Sequence, residues 1–490
     1  MRASGILLPI FSLPSNYGIG TLGDEAYKFI DFLTSAGQKY WQILPIGPTS
    51  YGNSPYQSFS SFAGNYQLID LEMLIQEKLL TSKDIEFLDF GDDESCIDYD
   101  KVSISKEKAL RTAFTRFKKN KNYFRFLEEN QSWLEDFVLF MSIKNISGGL
   151  EWTKWDEPLK NKEETAICKI QKSCEEELDF HRFVQYIFFK QWYLLKDYAN
   201  KNGIKIIGDI PIYVAFDSAD VWASKEDFLL DENLNPTLVA GCPPDAFSEN
   251  GQLWGNPLYR WDIMGQNGYS FWKQRISHTL KMCDVLRIDH FRGFESYYAI
   301  PFGDENAKNG HWKKGPNMKF FDEIERHLGD DLPIIAEDLG FLTNEVKELL
   351  KNTGYPGMKV LQFAFDGGYD NTYLPHNFKD NCIVYLGTHD NSTTLGWIRA
   401  LNDQQKEFVR HYLGVFWDED ILKAMIKSAL SSVANTAILT PQDLLGIDDF
   451  GRINTPGELG GKNWKWRLTK GALNSDIKNE LLGLTKLYER

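Results

Sequence analysis

Several things are scarce in this chain, and each shortage narrows what it can do. Only 54 of its 490 residues are Lys or Arg against 69 Asp or Glu, a formal charge of −15. Phosphate backbones are bound mainly through Lys and Arg, so nucleic acid is not an expected partner. Long apolar runs are missing as well. Stretches such as Ile6–Phe11 and Tyr186–Phe189 fall far short of the ~20 residues that cross a bilayer, so no membrane partner is expected. Pro9 and Pro14 break the short apolar run behind Arg2, and no small-residue cleavage site follows. The chain therefore reads as starting at Met1, in the cytoplasm. The six cysteines form no C-x-x-C pair and the eight histidines show no paired spacing, so neither a metal nor a cofactor is expected. Repeats and low-complexity tracts are lacking too, and nothing in the sequence speaks to oligomeric state.

What is present is an ordinary globular composition, 42% hydrophobic, in a chain too long for one small core. Eight short apolar runs bounded by polar, Gly or Pro residues read as strands buried on both faces: Gly5–Leu8, Trp41–Leu44, Ile204–Ile210, Val285–Ile288, Ile334–Ala336, Val360–Phe363, Ile383–Leu386 and Ala437–Leu439. Helical patterns such as Asp24–Ala36, Phe183–Tyr198 and Phe271–Met282 lie between them. Alternation of this kind favours a (β/α)8 TIM barrel over an open sheet. The barrel is expected over residues 1–70 and 175–490, with a helical insertion at 71–174 and a loop-rich insertion at 216–269 after the third strand.

Four strand candidates end in acids: Gly208-Asp209, Arg287-Ile288-Asp289-His290, Ala336-Glu337-Asp338 and Thr388-His389-Asp390. One such acid is a common helix cap; four at one barrel mouth form a constellation. Several carboxylates with His and Arg among them suit glycosidic bond cleavage, which needs one carboxylate at the anomeric carbon and one acid at the leaving oxygen. The spacing Arg287-x-Asp289 puts both side chains on one face of a strand, where the guanidinium would keep Asp289 ionised. Gly18-Ile19-Gly20-Thr21-Leu22-Gly23 fits a dinucleotide fingerprint, but no strand leads directly into it and no ribose-binding acid follows. It reads instead as a glycine-rich turn.

These stretches resemble the four signature regions of the α-amylase clan. Further segments are specifically similar to the 4-α-glucanotransferases called amylomaltases or disproportionating enzymes: Ser54-Pro55-Tyr56-Gln57, Phe62-Ala63-Gly64-Asn65, Gly241-Cys242-Pro243-Pro244-Asp245, Gly251-Gln252-Leu253-Trp254-Gly255-Asn256-Pro257 and Arg452-Ile453-Asn454-Thr455-Pro456-Gly457. The resemblance runs from Gly5 to Arg467. It implies that Asp289 is the nucleophile, Glu337 the general acid/base and Asp390 the carboxylate that grips sugar hydroxyls. It further implies that Arg287 orients Asp289, that His389 and Asp209 bind the sugar next to the scissile bond, and that Tyr56, Trp254, Asp245 and Asn463 line the groove. The expected partners are α-1,4-glucans and maltooligosaccharides. A plain α-1,4-glucan hydrolase and a non-catalytic glucan-binding protein stand as alternatives.

Overall fold

The computed structural model describes residues 2–244, 248–340, 342–366 and 368–490. Its central sheet holds eight parallel strands: β1 (Ala3–Leu7), β2 (Tyr40–Gln42), β3 (Lys205–Ile210), β4 (Val285–Ile288), β5 (Ile334–Ala336), β6 (Gly357–Val360), β7 (Cys382–Tyr385) and β8 (Thr436–Leu439). They lie in the order β6-β7-β8-β1-β2-β3-β4-β5. The N–H of Ala336 at the end of β5 donates to the carbonyl of Pro356, just before β6, at 3.0 Å, which closes the sheet on itself. The fold is the (β/α)8 barrel expected from the sequence. Alternation explains why the strand runs are apolar throughout. Leu7, Ile207, Ile335, Met358, Ile383 and Ile438 fill the barrel interior, while Ile6, Trp41, Ile206, Leu286, Ile334 and Leu439 face the surrounding helices.

One strand is displaced from its expected position. The run Val360–Phe363 was the apolar stretch, but Leu361–Phe363 is a 3-10 turn and β6 precedes it. Lys359 interrupts the apolar pattern of the true strand and lays its ammonium 5.1 Å from the Tyr373 ring centroid, so the pattern begins only after it.

Residues 71–174 hold seven α-helices between β2 and β3. The longest, Tyr99–Arg116 and Gln131–Ile146, pack on Glu175–Lys201, the 27-residue helix that leads into β3. That long helix pins the segment after β2. The Gln185 amide bonds both the N–H and the carbonyl of Gly64, and Gln191 does the same for Asp70. A Cβ on Gly64 would lie 1.9 Å from the Phe188 ring, so only glycine permits this approach. The Gly18–Gly23 turn is shaped by the same kind of contact. A Cβ on Gly20 would meet the Ile10 carbonyl at 1.9 Å, and one on Gly23 would meet the Asp70 carboxylate at 2.1 Å. Asp70 thus fills the space in front of the Asp24–Ser35 helix, where a dinucleotide motif would seat its pyrophosphate.

The segment 216–269 contains a hairpin, Leu238–Cys242 with Gln252–Pro257, which joins Ser296–Pro301 and His311–Lys314 in a four-stranded antiparallel sheet. This second sheet stands beside the barrel mouth. Among the described residues no helix is long and apolar enough to cross a membrane.

Helix Ser270–Met282 carries His278, whose Nε2 lies 2.9 Å from the Phe62 carbonyl, with Trp133 and Phe189 packed around the ring. Desolvation pushes this imidazole from 6.5 down to about 4. The folded pKa is below the unfolded one, so this stability is complete above about pH 6.5 and is lost as pH falls toward 4. Urea unfolding at pH 7 and pH 4.5 should therefore show a smaller acid loss for His278→Gln than for the parent. The expected difference is roughly 1–2 kcal/mol, and equal acid losses would remove His278 as the cause.

Candidate active site

Strand register assembles the site. In the parallel pair β3 and β4, Asp209 stands opposite Arg287, and both point into the barrel with Asp289 two residues further on. Arg287 is 3% exposed, so its charge needs partners. Its Nη1 donates to both oxygens of Asp209 at 2.8 and 2.7 Å, and its Nη2 to Asp289 Oδ1 at 2.9 Å. Burial works against the guanidinium charge, but Asp209 and Asp289 outweigh it and hold the group well above the usual arginine range.

The network runs on through Tyr56, delivered by the pinned segment after β2. Its hydroxyl donates to Asp209 Oδ2 at 2.7 Å and lies 2.9 Å from His389 Nε2. Since the one phenolic proton goes to Asp209, His389 must present Nε2–H to the tyrosine oxygen. The rings of Tyr56 and His389 stack with centroids 5.3 Å apart. Desolvation lowers the His389 pKa, which leaves the imidazole a neutral donor. The same nitrogen lies 3.4 Å from Asp390 Oδ2.

Glu337, directly after β5, is held by main chain. Its Oε2 accepts the His290 N–H and its Oε1 the Leu339 N–H, both at 2.7 Å. Adjacent strand ends are tied there too, since the N–H of Glu337 donates to the Ile288 carbonyl and the N–H of Phe291 to the Glu337 carbonyl. Burial raises the Glu337 pKa, against the pull of Arg287 and the two N–H donors. Asp289 is raised too, first by burial and then by the negative charge of Glu337, with Arg287 opposing. The two acids therefore keep a proton to higher pH than free carboxyls would, and at Asp289 burial outweighs Arg287, contrary to the expectation that the guanidinium alone would keep it ionised. Desolvation, more than the neighbouring carboxylates, is what lifts Glu337.

The remaining site residues are spread unevenly. Asp390 leaves 41% of its side chain exposed at the mouth and Asp289 leaves 28%, whereas the Asp209 side chain is fully covered and spent on Arg287 and Tyr56. Trp254, on the hairpin, meets the His290 ring edge to face at 4.8 Å. The Asn463 side chain accepts the Thr455 N–H and donates to the Thr455 and Glu458 carbonyls, so it braces its own loop. Asp245 lies outside the described residues. No group of three His, Cys, Asp or Glu side chains among the described residues could hold a metal ion.

This geometry occurs in a chain whose residues 8–474 match the sequence profile of the 4-α-glucanotransferase family. The chain belongs to that family. A 4-α-glucanotransferase of Clostridium butyricum is 48% identical over 485 residues, covering 98% of this chain and 99% of the relative. One from Thermus thermophilus is 46% identical over 502 residues, covering 100% and 99%. Among solved structures, an amylomaltase from Streptococcus agalactiae in complex with acarbose superposes with a TM-score of 0.97 at 41% identity, each chain covered completely.

Two features of this 4-α-glucanotransferase family member escaped the sequence reading. His290 adopts φ 53°, a left-handed conformation that turns its N–H onto Glu337, and burial lowers its ring pKa to about 3. An uncharged His290 adds no positive charge beside the acids. Asn454 donates to Asp390 Oδ1 at 2.7 Å. The Arg452–Gly457 stretch stood out as a motif, but nothing in it marked Asn454 as a partner of a residue 64 positions away.

Proposed function

We propose that this protein is a 4-α-glucanotransferase that moves an α-1,4-glucan segment from a donor to the 4-hydroxyl of an acceptor glucose or glucan, through a covalent glycosyl-enzyme on Asp289. The observation that carries the mechanism is the pairing of an arginine-held Asp289 with a Glu337 fixed by two main-chain N–H groups on the neighbouring strand end. Arg287 occupies Oδ1 of Asp289 and leaves Oδ2 to attack the anomeric carbon. Glu337, whose pKa burial raises, gives its proton to the glycosidic oxygen as that bond breaks. The leaving glucan departs with its new 4-hydroxyl. An acceptor 4-hydroxyl then enters, ionised Glu337 removes its proton, and the oxygen displaces Asp289, so two inversions retain the α configuration.

Asp390, open at the mouth, grips hydroxyls of the sugar under attack. His389, Tyr56 and Asp209 act one layer behind, holding Asp390 and Arg287 in place. Trp254 supplies an apolar face on the rim, where it can stack a sugar ring.

Incubation with maltotriose and chromatography of the products tests the reading. Transfer yields glucose together with a ladder of longer maltooligosaccharides. Glucose and maltose alone would mean hydrolysis with the same carboxylates, and unchanged maltotriose would mean a binding protein.

A further inference from the structure

We propose that Asn454 is a positioning residue that holds one oxygen of Asp390 and so aims the other at the sugar. The proposal rests on Asp390 being the carboxylate that grips substrate hydroxyls. Asn454 Nδ2 donates to Asp390 Oδ1 at 2.7 Å, while Oδ2 stays near His389 Nε2 at 3.4 Å. With one oxygen held, the carboxylate loses the rotation about its side-chain bonds that an acid at an open mouth would otherwise keep. The geometry for the transition state is then set before substrate arrives. The choice of donor matters. An amide carries no charge, so Asp390 keeps its full negative charge for the positive character that develops on the sugar ring, whereas an arginine here would offset it.

A purely structural reading fits less well, because the loop after β8 is already stitched to the loop after β7 without this bond. The Asn454 N–H donates to the His389 carbonyl at 3.0 Å. Arg452 spans the same gap, giving Nε to the Asn454 carbonyl at 2.8 Å, Nη2 to the Asp390 carbonyl at 2.9 Å and Nη1 to Ser392 Oγ at 3.2 Å. Four contacts fix where Asn454 sits. Its side chain then makes a fifth contact, and that one falls on an atom of the reacting constellation.

A double-mutant cycle in maltotriose disproportionation tests this, with kcat and KM measured for Asn454→Ala, Asp390→Ala and the double variant. Losing a hydrogen bond to a charged group should lower kcat about ten- to hundredfold in Asn454→Ala, with KM within about threefold. In the Asp390→Ala background the same change should cost no more than about threefold, because its target is already gone. Equal fold losses in both backgrounds would make Asn454 structural and overturn the proposal, as would a kcat for Asn454→Ala within about threefold of the parent. Near-normal activity of Asp390→Ala alone would instead overturn the reading of Asp390, and the positioning role with it. Should Asn454→Ala fail to fold, Asn454→Ser, whose hydroxyl is too short to reach Oδ1, takes its place with the same expectations.

Discussion

Asp289→Asn is expected to abolish both transfer and hydrolysis, lowering kcat by about 10⁴-fold or more, as removal of a covalent nucleophile does elsewhere. The expectation is specific because the substitution spares the rest of the network. An asparagine carbonyl can still accept from Arg287 Nη2, and Asp209 keeps both of its bonds to the guanidinium, so Arg287 does not become an unpaired buried charge. What disappears is the anionic oxygen that must bond to the anomeric carbon. Burst measurements with an activated glycosyl fluoride separate this loss from weakened binding. The variant should form no glycosyl-enzyme detectable by mass, while its thermal unfolding stays close to the parent's. A variant with near-normal turnover would show that the nucleophile is another residue.

How far the site could be read without coordinates depended on which contacts follow from strand alternation. Arg287 and Asp289 share a face because Asp289 follows Arg287 by two residues as the chain leaves β4, and Asp209 reaches Arg287 because parallel pairing sets them side by side. Such relations are local or register-bound, so residue spacing exposes them. Contacts made by loops that return over long separations are invisible to it. Asn454 meets Asp390 because Arg452 and the Asn454 N–H stitch two loops together, and His290 reaches Glu337 through a positive φ that residue type does not announce. Asn463 is a further case: the resemblance sets it along the groove, and only the folded loop reveals that its amide also bonds Thr455 and Glu458. In the fold the same limit appears at β6, where Lys359 lies between the inward-facing Met358 and Val360 and disguises the strand.

Glu337→Gln should split the reaction in two. With maltooligosaccharides, transfer is expected to fall by about 10²–10⁴-fold, the usual worth of a positioned general acid, because an alkoxide is too poor a leaving group to depart unprotonated. Glutamine is close to isosteric, and its carbonyl can keep one of the two N–H bonds now made by the carboxylate. The pocket should therefore still bind glucan. With an α-glycosyl fluoride as donor, whose leaving group needs little protonation, Asp289 should still attack, and the glycosyl-enzyme should accumulate because no base remains to activate the acceptor. Azide needs no such base, and adding it should release the trapped sugar as the α-glycosyl azide. The pH profile supplies an independent check. Because burial raises Glu337, its proton is kept to higher pH than in a free glutamic acid, and the alkaline limb of kcat/KM for maltotriose should lie correspondingly high. Glycosyl-enzyme formation from the fluoride by Glu337→Gln should lack that limb. If the limb persists in the variant, or if azide fails to restore turnover, the acid/base role belongs to another group at the mouth.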